Sequence, residues 1–211
     1  MNNLWEYENE LFSHGIKIVG GTDEAGRGPL YGPVVASCVV LNEGFNLEGL
    51  TDSKKLSEKK RDKYYDYIME NATVGISIIT SAEIDKINIY EASRKAMMEA
   101  IKQVKEKVKL EYVLTDAMPL PDLDIPHLPI IKGDAKSISI AAASVIAKVT
   151  RDRILYEVDK KYPEYGFKKH KGYPTKKHIE NVYKYGLIEG YRLTYGPIEE
   201  YLKRKSEENG K

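Results

Sequence analysis

Gly21-Thr22-Asp23-Glu24-Ala25-Gly26-Arg27-Gly28-Pro29-Leu30-Tyr31-Gly32-Pro33 is the stretch on which the reading of the whole chain turns. An apolar run, Ile16 to Val19, leads into two adjacent carboxylates, and a second apolar run, Val34 to Leu41, follows the prolines. An acidic pair at a strand end, followed by a turn without bulk, suits close approach of backbone to something charged. Two phosphate loops can be tested against it. Gly21 and Gly26 have P-loop spacing, but Arg27-Gly28 stands where Lys and Ser or Thr are required. Asp23 and Glu24 would also turn two negative charges into that cradle. The dinucleotide fingerprint fails too, because Leu30 and Tyr31 occupy the place of the third glycine. Taken alone, these residues leave a glycine hairpin with two solvated acids open beside a functional site.

Working outward, Val34–Leu41 is β-branched and nearly all apolar, which predicts a strand buried on both faces. Paired with residues 17–23 through the glycine turn, it makes an antiparallel hairpin. Ser57 reads as an N-cap with Glu58 in the first turn of a helix to about Glu70. Thr73–Thr80 alternates and predicts a third strand. Ile89, Ala92, Ala96, Met97, Ala100, Ile101, Val104 and Val108 recur at helical spacing and form one core-facing stripe. Tyr112–Thr115 is a short strand ending at Asp116, and Ile130-Ile131 is another, closed by Lys132-Gly133-Asp134. Residues 137–148 are small and apolar on all sides, so a helix capped by Ser137 should be buried in its first half. It continues to about Lys160, where Pro163 and Gly166 break the chain. A helix over Lys176–Tyr185 precedes a polar tail, residues 203–211, expected to fray.

If strands one, four and five run parallel and adjacent, Asp23, Glu24, Asp116 and Asp134 converge at one sheet edge. Singly, Asp116 and Asp134 read equally well as ordinary turn acids. Their embedding in longer motifs decides the matter. The run D-E-A-G-R-G-P-L-Y-G-P-V-V from Asp23 resembles the opening motif of ribonuclease HII, the type 2 ribonucleases H. D-S-K-K-L at Asp52, T-D-A at Thr115, Gly133–Asp152 and Lys171-Gly172-Tyr173-Pro174-Thr175 are similar to further motifs of that family. The resemblance spans residues 17 to about 195.

It implies an α/β chain with an RNase H-like mixed five-stranded sheet flanked by helices, residues 17–162. A C-terminal helical, basic, substrate-binding extension follows over residues 163–202. It implies an endonuclease that hydrolyses the RNA strand of RNA–DNA hybrids, and single ribonucleotides embedded in duplex DNA, leaving 5′-phosphate and 3′-hydroxyl ends. Asp23, Glu24, Asp116 and Asp134 would hold two Mg²⁺ or Mn²⁺ ions. The backbone of Gly26, Arg27 and Gly28 would touch ribose hydroxyls. Lys54 would approach a phosphate, and Tyr173 would pack on the deoxyribose past the last ribonucleotide. The chain departs from the family at Pro174, where a glycine is usual, which restricts Tyr173 to extended geometry. Tyr191-Arg192-Leu193-Thr194-Tyr195 matches the family's H-R-x-S-F only loosely and contributes no site residue. The related ribonuclease HIII is disfavoured, because only about sixteen residues precede the first strand here.

The chemistry accounts for so many acids. Hard divalent cations prefer carboxylate and water oxygens and keep positions open for phosphate. Two ions about 3.5–4 Å apart can activate a water and stabilise the leaving oxygen. Zinc is disfavoured, because His14, His127, His170 and His178 are scattered and no cysteine accompanies them. Two rivals stay open: a non-catalytic nucleic-acid-binding module, and a DNA-cutting two-metal nuclease on the same fold. The full acid set argues against the first, and the glycine turn, suited to a 2′-hydroxyl, against the second.

At 211 residues, 42% hydrophobic and 31% charged, the chain suits a single domain. The single cysteine, Cys38, fits a reducing cytoplasm, and a monomer without membrane attachment is expected. Net charge of +1 says little about nucleic acid, so distribution matters more. Residues 165–179 carry five lysines, two histidines and no acid, and nine of the 16 tyrosines follow residue 155. Basic residues among aromatics suit either a backbone-tracking, sugar-stacking surface or a solvated face.

Overall fold

The computed structural model describes residues 4–50, 53 and 56–209. Its centre is a five-stranded mixed sheet in the order β3-β2-β1-β4-β5. The strands are β1 (Val19–Ala25), β2 (Val34–Leu41), β3 (Ala72–Ile79), β4 (Tyr112–Asp116) and β5 (His127–Ile130). β1, β2 and β3 pair antiparallel, whereas β1, β4 and β5 run parallel, as the positions of their acids required.

Strand alternation divides the core in two. Val34, Ala36, Cys38 and Val40 of β2 pack with Ala92, Ala96, Met97, Ala100 and Val104 of α3 (Ser81–Lys105). On the other face, Val39 joins Ile68 of α2 (Glu58–Asn71) and Ala142, Val145 and Ile146 of α4 (Ile138–Lys161). The caps expected from sequence are made: Ser57 accepts from the Lys60 N–H and Ser137 from that of Ile140.

Gly21 sets the depth of α4. A Cβ there would fall 2.2 Å from the backbone carbon of Ser139, so only glycine lets the helix start lie directly on β1. Residues two apart on a strand share a face, so Asp23 points to the same side as this contact.

The structure differs from the sequence expectations at several elements. β5 is His127–Ile130, beginning three residues before the expected Ile130. Its Pro129 is tolerated because β5 is an edge strand with one neighbour to satisfy. α3 begins at Ser81 and bends at Asn88, whose φ of 66° interrupts the helix and whose side chain accepts from the N–H groups of Tyr90 and Glu91. α4 stays buried beyond its first half, as far as Leu155. The residues from Lys203 continue the C-terminal helix (Gly196–Asn209), with Arg204 paired to Glu200 and Lys205 to Glu208. An N-terminal helix, α1 (Glu6–Ser13), was not foreseen. Its Glu8 is buried and accepts from the Ser137 hydroxyl at 2.6 Å and the Ser139 N–H at 3.1 Å. No helix among the described residues is long and apolar enough to cross a membrane.

Candidate active site

Three strand ends deliver three carboxylates to one point. The β1–β4 register sets Thr22 beside Thr115, so Asp116 ends its strand next to Asp23. Beyond β5, Lys132 turns the chain through a left-handed φ of 57° into the Gly133–Ala135 turn, which carries Asp134 just before α4. One oxygen from each of Asp23, Asp116 and Asp134 lies within 4.8 Å of the other two. The Gly133 N–H donates to Asp116 Oδ1 at 2.7 Å, and the Glu24 N–H to Asp23 Oδ1 at 2.7 Å.

Glu24 stands apart from this trio. It is the next residue along β1, so strand alternation aims it at the other face, opposite Ala36 of the α3 core. Its Oε1 accepts from Arg27 at 3.3 Å, while its buried Oε2 has no hydrogen-bond partner among the described residues. Burial raises the Asp23 carboxyl well above its ordinary range, and the charges of Glu24 and Asp116 push it further. Burial also raises Glu24, against the pull of Arg27, with the Asp116 charge adding to the rise. These oxygens fit hard divalent cations: the donors are all carboxylates, the charges of Glu24, Asp116 and Asp134 crowd Asp23, and one buried Glu24 oxygen has no hydrogen-bond partner among the described residues. Asp23, Asp116 and Asp134 are placed to hold such an ion, with Glu24 beside them.

Asp23 and Glu24 open into a cleft of about 410 Å³ that is also lined by Gly26, Arg27, Gly28 and Tyr173. Gly26 has a φ of 102°, and a Cβ there would fall 2.2 Å from Arg151 Nε. Gly28 approaches the Tyr173 ring, which would sit 3.4 Å from a Cβ at that position. Tyr173 itself is 44% exposed. Lys54 lies outside the described residues.

Several cleft residues were missed from sequence. Ser53 and Ser144 share a hydrogen bond of 2.7 Å, Arg61 donates to the Ser53 carbonyl, and Lys148 pairs with Asp152 at 2.7 Å. Arg151 and Arg192 are buried behind the glycine turn and donate to its carbonyls. Burial, and next the charge of Arg192, lower the Arg151 guanidinium to about 10. Nothing in the Gly133–Asp152 run singles out Arg151, because Lys148, Asp152 and the following Arg153 stand beside it in the same helix. Arg192 lay in the segment that matched only loosely.

The aromatic-basic segment serves two purposes. Tyr165, Phe167 and Tyr191 are core, with Tyr165 and Phe167 stacked at 5.5 Å, so they are not a sugar-stacking surface. His178 is fully buried between the Tyr173 carbonyl and the Tyr191 hydroxyl, and its ring stacks on His170 at 4.2 Å. Lys168, Lys169, Lys176 and Lys177 stay exposed, and the Lys171 ammonium lies 3.9 Å over the Tyr156 ring.

Comparison with known proteins agrees with this geometry. The family model described as Ribonuclease HII matches residues 20–194. Ribonuclease HII of Bacillus cytotoxicus is 52% identical over 201 residues, 95% of this chain and 76% of the relative. That of Caldanaerobacter subterraneus subsp. tengcongensis is 53% identical over 198 residues, 93% of this chain and 80% of the relative. Among solved structures, ribonuclease H2 from Pyrococcus horikoshii OT3 superposes with a TM-score of 0.74 at 27% identity, covering 89% of this chain and 98% of that one. With the family model spanning most of its length and half its residues shared with such relatives, this chain belongs to the ribonuclease HII family.

Proposed function

We propose that this endonuclease of RNA–DNA hybrids cuts at single ribonucleotides within duplex DNA as well as along uniform hybrids, leaving 5′-phosphate and 3′-hydroxyl ends. The observation that carries the reading is that Asp23 belongs both to the trio with Asp116 and Asp134 and to the cleft lined by the glycine turn. Asp23, Glu24, Asp116 and Asp134 hold Mg²⁺ or Mn²⁺, which supplies Lewis acidity to a phosphodiester and a water nucleophile at neutral pH. Everything else is done by the chain itself. The backbone of Gly26, Arg27 and Gly28 meets the ribose 2′-hydroxyl, which both donates and accepts. Tyr173, exposed beside Gly28, offers a flat face to the sugar on the far side of the cut. Lys54 and the exposed lysines of residues 168–177 neutralise backbone phosphates. The enzyme acts as a cytoplasmic monomer.

A DNA-cutting nuclease on this scaffold would need no glycine turn beside its acids. The test is incubation with Mg²⁺ of a uniform RNA–DNA hybrid and an all-DNA duplex of the same sequence. Cleavage of the hybrid alone is expected; equal cleavage of both would sink the reading.

A further inference from the structure

Arg192 is a buried cation whose guanidinium has no carboxylate partner among the described residues and instead spends all five of its N–H donors on neighbouring oxygens. Nε donates to the Gly32 carbonyl at 3.0 Å, and Nη2 to the carbonyls of Gly32 and Gly26 at 2.8 and 2.6 Å. Nη1 donates to the Arg27 carbonyl and the Tyr195 hydroxyl, both at 2.9 Å. The Tyr195 hydroxyl in turn donates to the Arg27 carbonyl at 2.7 Å. Outside this fork, the carboxylate of Asp85 holds the N–H groups of Leu193 and Thr194 and the Thr194 hydroxyl. The segment carrying Arg192 is therefore fastened to α3 and to the turn at once.

The consequence follows from peptide geometry. All peptide bonds described here are trans, so each carbonyl points opposite to the N–H of the next residue. Holding the carbonyls of Gly26 and Arg27 against the C-terminal segment turns the N–H groups of Arg27 and Gly28 the other way. Both residues line the same cleft as Asp23 and Glu24. A planar fork fixes two successive peptide planes at once, which three donors on a flexible lysine cannot do.

We propose that Arg192, assisted by the Tyr195 hydroxyl, is a positioning residue that sets the orientation of the Arg27 and Gly28 amides and so the discrimination of ribose from deoxyribose. The inference rests on the reading of the glycine turn as the sensor of the 2′-hydroxyl. It assigns specificity to a residue at least one peptide removed from any substrate atom. Arg192 acts on the ribonucleotide through the backbone, so its loss should affect recognition of the sugar and leave phosphate binding alone.

The test compares dissociation constants for a duplex with one ribonucleotide and an all-DNA duplex, with calcium replacing magnesium. Wild type should favour the ribonucleotide. Arg192→Lys should bring the ratio towards one while the all-DNA constant stays at its wild-type value and the protein remains folded at the assay temperature, with a lowered melting temperature from the lost hydrogen bonds. In magnesium, kcat on the single-ribonucleotide duplex should fall on the order of 100-fold, the cost of a misplacement of about 1 Å. A ratio unchanged in Arg192→Lys would overturn the inference. So would a loss of affinity for both duplexes in step with a lower melting temperature, which marks a merely structural role. If Arg192→Lys does not fold, Tyr195→Phe decides. It removes two hydrogen bonds, one accepted from Arg192 and one donated to the Arg27 carbonyl, and should narrow the ratio by roughly three- to tenfold; no narrowing overturns the inference. Absence of any preference in wild type would instead remove the reading of the glycine turn, and the inference with it.

Discussion

The Gly133 N–H donates to Asp116 Oδ1 at 2.7 Å, which ties the turn bearing Asp134 to the carboxylate that ends β4. A Cβ at residue 133 would fall 2.6 Å from Ile140 Cδ1 and 3.4 Å from Asp116 Oδ1. Gly133→Ala should therefore displace both acids slightly and lower kcat, with a stability cost of about 1–3 kcal/mol from overpacking. Activity and thermal unfolding measured together check this. Wild-type values for both would show that the Ile140 side chain yields without disturbing the site.

Asp23 carries a carboxyl raised by burial and by its acidic neighbours. A carboxyl raised in the folded state contributes stability below its ordinary value of 3.8 and loses that contribution as pH climbs through the raised value. Metal-free protein should thus be less stable at neutral pH than its burial suggests. Asp23→Asn should melt higher without metal, by on the order of 2–4 °C per kcal/mol relieved in a chain of this size. The same variant should be inactive and show a smaller rise in melting temperature on adding Mn²⁺. A lower melting temperature in metal-free Asp23→Asn would contradict the crowding.

The acids at strand ends were legible because an apolar, β-branched run that stops at an Asp marks both a strand and its exit. Asp116 fits that pattern directly, Asp23 lies two residues before the end of β1 and Asp134 four residues beyond β5, and parallel pairing of β1, β4 and β5 brings them together. Glu24 joins them through its place at the end of β1 and through the family resemblance, and the alternation of β1 starts it on the other face, against Arg27. α1 left no stripe to detect, since it is eight residues long and its buried position is a glutamate. The arginines behind the turn were hidden for a different reason. Arg151 and Arg192 bind backbone carbonyls, and a carbonyl is present at every residue, so no partner side chain betrays the contact.

His178 is neutral inside the fold, its value lowered to about 4, chiefly by burial. A cation disfavoured in the folded state gives stability that is complete above its ordinary 6.5 and is lost as pH falls from there towards about 4. Neutral His178 donates from Nδ1 to the Tyr173 carbonyl and accepts at Nε2 from the Tyr191 hydroxyl, so charging its ring in acid should loosen the tyrosine loop first. Hydrogen exchange at residues 170–178 should accelerate on going from neutral pH to about pH 5, before global unfolding. Uniform acceleration across the sheet would contradict this.

Gly28 and Tyr173 face each other across the cleft. Gly28→Val should push a branched side chain into the ring and abolish most cleavage of both substrate types. Tyr173→Ala should lose more activity on a single-ribonucleotide duplex than on a uniform hybrid, because the flat ring selects the deoxyribose beyond the junction. Equal losses on the two substrates would leave the ring with a binding role only.

The most direct test is to map the cut in a duplex carrying one ribonucleotide, with Mg²⁺, at single-nucleotide resolution. Scission at that ribonucleotide is expected, on its 5′ side, leaving a 3′-hydroxyl on one fragment and a 5′-phosphate on the ribonucleotide. Asp116→Asn and Asp134→Asn should give no product. Scission elsewhere in the duplex, a 2′,3′-cyclic phosphate end, or full activity in either variant would contradict a carboxylate-held metal site guided by the glycine turn.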